Sequence, residues 1–324
     1  MTKLERLIFN FSPITFLLNK SKHWSLPGFE GVPLYDVMKF FYKQVRKVGL
    51  TERASAISYN FIMAMPPTFL FLFTLLPKLP FIDKKNLLRQ LHALVADIIP
   101  AQGYNKNILA FIDSFFKESK IGLISFGFIL ALFFASNAMI GIMRSFNKDH
   151  LGFEPRRGLA RRWMAMKLTF ILLGLVLGCL LLLLTQGAVL KWMGIRNQEW
   201  RQWIFYIRWI FIVGLIFYSF AFVYKYAPAV QTRWKLLSPG SILAATLSIL
   251  ASLGFSAFVN NYGKYDVLYG AIGTIIFLMT LIYINSLVLL IGFELNVSIK
   301  SLHHIASERE IKTRSAINGA KENA

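Results

Sequence analysis

Val267–Phe293, VLYGAIGTIIFLMTLIYINSLVLLIGF, contains no Asp, Glu, Lys or Arg. At about 1.5 Å per residue, a helix of this length exceeds the roughly 30 Å hydrocarbon core of a bilayer, so the stretch reads as a membrane span. Lipid offers no hydrogen bonds to a backbone, which makes a helix the structure this segment must adopt. Four more charge-free runs have similar length: 54–77, 121–143, 168–190 and 236–263. A sixth, 203–224, is interrupted only by Arg208. The expected fold is therefore all-α, a polytopic membrane domain of six transmembrane helices over 54–297. It follows a segment 1–53 and precedes a polar tail 298–324, read as a frayed helix with a disordered end. The N-terminal run Leu7–Leu18 is too short to cross, and no small-residue cleavage site follows it, so it is not read as a signal peptide.

Composition agrees. Of 324 residues, 56% are hydrophobic and 16% charged, against roughly 25% charged in an ordinary soluble protein. That hydrophobicity excludes disorder, and the single cysteine, Cys179, excludes an internal disulfide framework and a Cys-rich zinc site. The net charge of +20 then needs a place. Of the 36 Lys and Arg residues, 24 lie before span one, after spans two and four, or after span six. By the positive-inside rule both termini face the cytoplasm. Trp192, Trp200, Trp203 and Trp209 gather around the second external loop, as an interfacial belt does. The charge is thus a topology signal rather than a nucleic-acid footprint, with a second use in gripping anionic lipid at the cytoplasmic face.

Between the spans, Leu34, Val37, Met38, Phe41 and Val45 recur at helical spacing opposite Lys39, Lys43, Arg46 and Lys47. This is either a basic amphipathic helix on the cytoplasmic leaflet or a packing helix with a solvated face. In the first external loop, Leu88, Leu91, Val95 and Ile98 form one apolar stripe, and Ile108, Ile112, Phe115 and Phe116 a second. Pro100 and Gly103 break the chain between them, which predicts an external helical hairpin, either a lid or a static cap.

Polar groups inside spans are the candidate functional positions, because lipid makes them costly. Span one carries Ser58, Tyr59 and Asn60, then Pro66 and Pro67, which remove two amide donors and predict a kink. Span two carries Ser136 and Asn137, with Arg144 and Asn147 at its cytoplasmic end. Gly174 and Gly178 in span three have a spacing that admits a close backbone. Ala244, Ser248, Ser252 and Ser256 make a small, mildly polar stripe in span five. Arg208 lies near the external surface, where it can snorkel outward. Asn261, Tyr262 and Tyr269 surround the turn between spans five and six, as a headgroup contact or as interfacial anchors. Glu294 is the only carboxylate at the end of a span. These positions either line a substrate path or pack helices together.

The five histidines form no HExxH pattern, and neither a GxxxxGK[ST] loop nor a GxSxG elbow occurs, so zinc hydrolase, nucleotide-driven motor and serine hydrolase chemistry have no motif here. No catalytic residue, metal site or cofactor is expected.

Several motifs together resemble the YihY/BrkB family of bacterial inner-membrane proteins. They are Ala54–Asn60 through Pro66-Pro67, Ser136-Asn137 with Arg144 and Asn147, Tyr226-Ala227-Pro228 and Trp234, Pro239–Ala245, Asn261–Tyr265, Tyr269–Gly273 and Leu290–Asn296. The resemblance covers about Leu34 to Leu302 and implies a six-helix inner-membrane fold. It supplies no established catalytic residues, and the ribonuclease BN label given to some members finds no metal-ligand constellation here. A Tyr-Tyr pair common in span one of the family stands here as Tyr59-Asn60, and an Arg that often follows the span-two serine stands as Asn137. The expected function is translocation or flipping of a lipid or other amphipathic envelope substrate. A scaffold or regulatory subunit of an envelope complex is the alternative. Partners are membrane lipids, with a homo-oligomer or an envelope-complex partner left open.

Overall fold

In a computed structural model the chain is built from helices. The structure describes residues 20–22, 24–47, 49–75, 84–86, 88–89, 91–92, 109–110, 112–114, 121–146, 156–192, 198–230, 233–262 and 271–322. Within these, the side chains of 69–75, 121–125, 180–192, 198–209, 259–262, 271–274 and 309–322 lie outside the description. The main elements are α1 (Leu34–Lys47), α2 (Leu50–Leu75), α3 (Ile121–Phe146), α4 (Gly158–Trp192), α5 (Gln198–Tyr226), α6 (Pro239–Tyr262) and α7 (Ala271–Glu322).

Among the described residues, four stretches are long and apolar enough to cross a membrane: Phe126–Phe146, Gly158–Cys179, Pro239–Phe258 and Ile275–Glu308. They fall on the expected second, third, fifth and sixth spans. The run expected as a fourth span falls on α5, whose described apolar stretch, Ile210–Tyr226, is shorter, and the run expected as a first falls on α2, a helix of 26 residues; neither is among the four.

The helices outrun the charge-free segments. α4 begins at Gly158, ten residues before the expected 168, because Ala-Arg-Arg-Trp-Met-Ala-Met-Lys has good helix formers throughout and its charges do not interrupt a helix. Similarly, the sixth span and the tail form one helix of 52 residues. The tail expected from 298 as a frayed helix continues the helix of the sixth run, which extends to Glu322. No proline interrupts this stretch, and His304 pairs with Glu308 one turn on at 3.5 Å. The first span also stays helical through Pro66 and Pro67, although these cannot donate to the carbonyls of Ile62 and Met63.

Each helix from α2 to α7 packs against its neighbour in chain order, and α7 closes back onto α2. The result is a ring of six helices. Its main core joins the start of α2 (Leu50, Ala54, Ile57), the end of α3 (Met139, Ile142, Met143, Phe146), the start of α4 (Ala165, Leu168), the end of α5 (Phe222–Tyr224, Ala227), Ala244 of α6 and Val288–Val297 of α7. All lie toward one end of the bundle, which also bears most of the basic residues and is called the basic end below. Farther from it the helices carry exposed apolar side chains, among them Phe126, Ile171, Ile210, Leu253 and Ile275.

A second, smaller core settles the place of the N-terminal segment. Phe29, Val32 and Val37 are buried against Leu295 and Ile299 of α7, with Leu34 and Phe41 beside them. The preceding loop turns through positive φ at Gly28, Glu30 and Gly31, closed by the Leu34 amide donating to the Trp24 carbonyl at 3.0 Å. Glu30 then meets Lys300 and His303 of α7 at 3.6 and 3.8 Å. Of the two readings of α1, packing against protein holds for its Val37 face, while Met38 and Tyr42 remain exposed.

Candidate functional site

The motifs of the second half of the chain meet at the basic end. Ser238 caps α6. The Ser241 amide donates to Ser238 Oγ at 3.2 Å and the Ser238 amide to Ser241 Oγ at 3.1 Å, a reciprocal capping box with Pro239 in the first helical position. Asn296 of α7 completes it: its Oδ1 accepts from the Gly240 amide at 2.9 Å, and its Nδ2 donates to Ser238 Oγ at 2.9 Å. An asparagine side chain from one helix thus satisfies one free N-terminal amide of another and braces its capping serine.

This is possible only because the backbones nearly touch. A methyl group at Gly240 would overlap the Gly292 carbonyl oxygen, and one at Gly292 would lie 2.5 Å from the Gly240 carbonyl oxygen and 2.5 Å from Tyr224 Oη. By contrast, a Cβ at Gly174 or Gly178 meets nothing within 4 Å. The close backbone approach expected at that pair is thus not made among the described residues; it is made at Gly240 and Gly292 instead.

Around this crossing lies an aromatic cluster. Phe146 and Phe293 stack with centroids 4.0 Å apart and rings 4° from parallel. Trp234 lies 5.5 Å from Phe293 and Tyr224 lies 6.0 Å from Phe146. Tyr224 is buried, and its hydroxyl donates to the Leu289 carbonyl at 2.7 Å, so a polar tip inside the membrane domain has its partner. Four helices and the α5–α6 connection therefore seal the basic end.

The polar positions expected to matter divide into three groups. Several pair across helices. Ser58 is buried and donates to the Ala54 carbonyl at 2.7 Å, with Ser286 Oγ of α7 at 3.2 Å. Ser248 of α6 bonds Asn285 of α7, and Ala244 is buried on the same stripe. Ser136, wholly buried, donates to its own helix at the Phe133 carbonyl, 2.7 Å. Asn60 donates to the Ala56 carbonyl at 2.7 Å and lies directly over Gly141 of α3. Glu294 is wholly buried, its carbonyl accepting from Ser298 Oγ at 2.7 Å. Others are exposed: Tyr59, Pro66 and Arg144, with Pro67 half-buried. The remainder, Asn147, Tyr269 and the side chains of Arg208, Asn261 and Tyr262, lie outside the described residues.

Asn137 has a partner that the sequence did not suggest. Arg162 of α4 donates through Nη1 to Asn137 Oδ1 and through Nη2 to the Phe133 carbonyl at 3.2 Å, with its guanidinium 4.1 Å from the Phe133 ring centroid. Position 137 is thus reached by a guanidinium from the next helix. Arg162→Ala is expected to lower the stability of the purified protein by about 1–2 kcal/mol, the range for a charged hydrogen bond and an interhelical polar pair in a membrane. Arg162→Lys should recover only part, since an ammonium lacks the two-pronged geometry. Thermal unfolding in detergent measures both.

Two arginines finish helix ends. Arg53 Nη1 donates to the Ser145 carbonyl at 3.2 Å, at the end of α3. Arg156 Nη1 lies 3.4 Å from the carbonyls of both Tyr226 and Ala227, at the end of α5. Each places positive charge at the negative end of a helix dipole. Between α4 and α5, nearer the middle of the bundle, lies a cleft of about 570 Å³ lined by Leu175, Gly178, Cys179, Ile210, Phe211, Gly214, Leu215 and Tyr218. Among the described residues no three His, Cys, Asp or Glu side chains gather as metal ligands.

Comparison with known proteins places the chain in a family. The family model described as Virulence factor BrkB matches residues 41–317. A ribonuclease-like protein of Bacillus subtilis, YfkH, is 26% identical over 249 residues, covering 76% of this chain and 88% of that protein. A UPF0761 membrane protein of Idiomarina loihiensis is 26% identical over 268 residues, covering 81% and 90%. A second UPF0761 membrane protein, from Pseudoalteromonas translucida, is 34% identical over 86 residues, covering 26% of this chain and 29% of that one. No solved structure matches the chain. The matched region runs from α1 into the extension of α7 and takes in the Gly240–Gly292 crossing, the aromatic cluster and the apolar helices: the chain is a multi-pass membrane protein of the BrkB family.

Proposed function

We propose that this protein resides in a bacterial inner membrane with both termini cytoplasmic. There it moves a lipid or other amphipathic envelope substrate across the bilayer without covalent chemistry of its own. The observation that carries the reading is the cleft between α4 and α5. Its 570 Å³ falls in the range of small-molecule sites, and its lining is apolar apart from the polar atoms of Tyr218 and Cys179. Such a lining suits an acyl chain; an ion would need polar groups to replace its hydration. The basic end, assigned to the cytoplasm by its Lys and Arg, holds the main core of the described residues, which suits a bundle closed on that side, as alternating access requires of one of its states. On the opposite side, His92 Nε2 meets Asp113 Oδ1 at 2.9 Å. That contact fits two short helical pieces folded together as the external hairpin.

Reconstitution into liposomes with a headgroup-labelled phospholipid tests this. Protein-containing vesicles are expected to move the label between leaflets faster than empty ones. Gly178→Leu and Gly214→Leu, which fill the cleft at positions with nothing within 4 Å, should slow that movement severalfold while leaving thermal stability unchanged. No movement of any labelled envelope lipid would refute the proposal.

A second reading, a scaffold or regulatory subunit of an envelope complex, draws support from the pairing of Ser58 and Ser248 with α7 and from the closed basic end. Repeated crosslinking to one enzyme, with no lipid movement, would favour it. Ribonuclease activity, the property in the name of the Bacillus subtilis relative, is expected to be absent from purified protein incubated with RNA.

A further inference from the structure

Between residues 155 and 265 the chain carries a single carboxylate, Glu199, and it stands near the start of α5, at the opposite end of that helix from the features below. Among the described residues of 156–262, the basic ends of α4, α5 and α6 therefore carry cations and no carboxylate. Three of these cations converge on one tyrosine. Arg156 Nη1 lies 3.4 Å from the Tyr226 carbonyl, the Arg233 guanidinium carbon lies 5.4 Å from the centroid of the Tyr226 ring, and Lys225 Nζ lies 5.5 Å from the same centroid. Among the described residues no carboxylate stands within ion-pair distance of any of them.

Two guanidiniums so placed repel each other. The Arg156 pKa is held below the ordinary arginine value, by partial burial first and by the Arg233 charge second. The α5 dipole and the Tyr226 ring offset part of this repulsion, but neither removes a charge. What does is a dianionic or monoanionic oxygen cluster, which paired guanidiniums grip through charge-assisted hydrogen bonds. The surroundings indicate where that anion comes from. On the neighbouring connection Leu237 is 71% exposed, and on α4 Leu159 and Trp163 are 87% and 61% exposed. Large apolar side chains projecting beside a basic cluster belong at a lipid interface.

The geometry points to a headgroup site at the basic end of α5, in which Arg156 and Arg233 together bind the phosphate of an anionic phospholipid, with Lys225 beside them. The site is separate from the α4–α5 cleft of the preceding proposal and rests only on the same orientation in the membrane. Binding rather than transport is its readout, so a protein that binds lipid here but moves none would leave this inference standing.

The test uses the full chain in phosphatidylcholine nanodiscs containing increasing phosphatidylglycerol, with bound lipid counted by native mass spectrometry after release and thermal stability followed in parallel. Arg233→Gln is the informative variant, because it leaves the Arg156 contacts with the end of α5 in place. It is expected to weaken phosphatidylglycerol retention about tenfold, as loss of one charge-assisted partner does, without lowering stability in pure phosphatidylcholine. Arg156→Lys should give a smaller loss. Lys47→Gln, an exposed cation on α1, is the control; a generic surface attraction amounts to about fivefold per cation. Equal losses in Arg233→Gln and Lys47→Gln would overturn the site. Stabilisation of the wild type by inorganic phosphate at matched ionic strength, as strong as that by the lipid, would overturn the phospholipid assignment.

Discussion

Replacing Gly240 with alanine is expected to prevent the membrane domain from closing. The added methyl would overlap the Gly292 carbonyl oxygen and lie 2.6 Å from Asn296 Cγ. The first obstacle is backbone, so no rotamer change relieves it. The two helices must separate, and with them goes the 2.9 Å bond from the Gly240 amide to Asn296. Overpacking a filled core costs about 1–3 kcal/mol where side chains can move, so about 3 kcal/mol is a lower bound here. Gly292→Ala should behave alike, its methyl meeting both the Gly240 carbonyl and Tyr224 Oη. Gly174→Ala is the control. A methyl there meets nothing within 4 Å, and helix propensity favours alanine by up to about 1 kcal/mol. Yield of folded protein and melting temperature in detergent should therefore fall sharply for the first two variants and hold or rise for the third. Normal behaviour of Gly240→Ala would mean that the helices do not cross here.

Phe293→Ala comes next in size. Phe293 is wholly buried, stacked on Phe146 at 4.0 Å and flanked by Trp234. Deleting a buried phenyl ring costs about 3–5 kcal/mol through lost contacts and the cavity left behind. In this position the cavity lies within the plug of the basic end. Liposomes holding the variant are therefore expected to leak a small trapped dye faster than those holding wild type. Phe293→Leu, which keeps most of the volume, should cost under about 1.5 kcal/mol and leave the vesicles tight. A tight Phe293→Ala variant would show that closure does not depend on this cluster.

Much of the architecture could be read from the chain because lipid imposes one simple constraint, that long charge-free runs become helices. Val267–Phe293 sufficed for α7, and the other charge-free runs fall on the remaining helices. The same criterion hid what lay just beyond each run. Arg162 precedes the charge-free run that begins at 168 and so falls with the loop charges by that criterion, although 162, 165, 169 and 172 recur at helical spacing. Its bond to Asn137 depends on how α3 and α4 are staggered, which no single segment encodes. Tyr224 looked like one more aromatic in an apolar run; its hydroxyl matters only against Leu289, 65 residues away. The glycines misled for a similar reason. Gly174 and Gly178 have the spacing of a contact but face open space, whereas Gly240 and Gly292 are isolated in sequence and adjacent in the fold. Ser58 and Ser248 were recognised as costly, and only their partners Ser286 and Asn285 distinguish a packing role from a lining one.

The ring is closed by its last member. α7 contacts α1, α2 and α6, yet it leaves the ribosome after all of them. Until it does, the nascent chain holds Ser58 without Ser286, Ser248 without Asn285 and the α6 cap without Asn296, while Phe29, Val32 and Val37 have no surface on which to settle. Assembly is therefore back-loaded: the earlier helices of the ring wait for α7, and a chain interrupted before residue 296 has no way to finish the bundle.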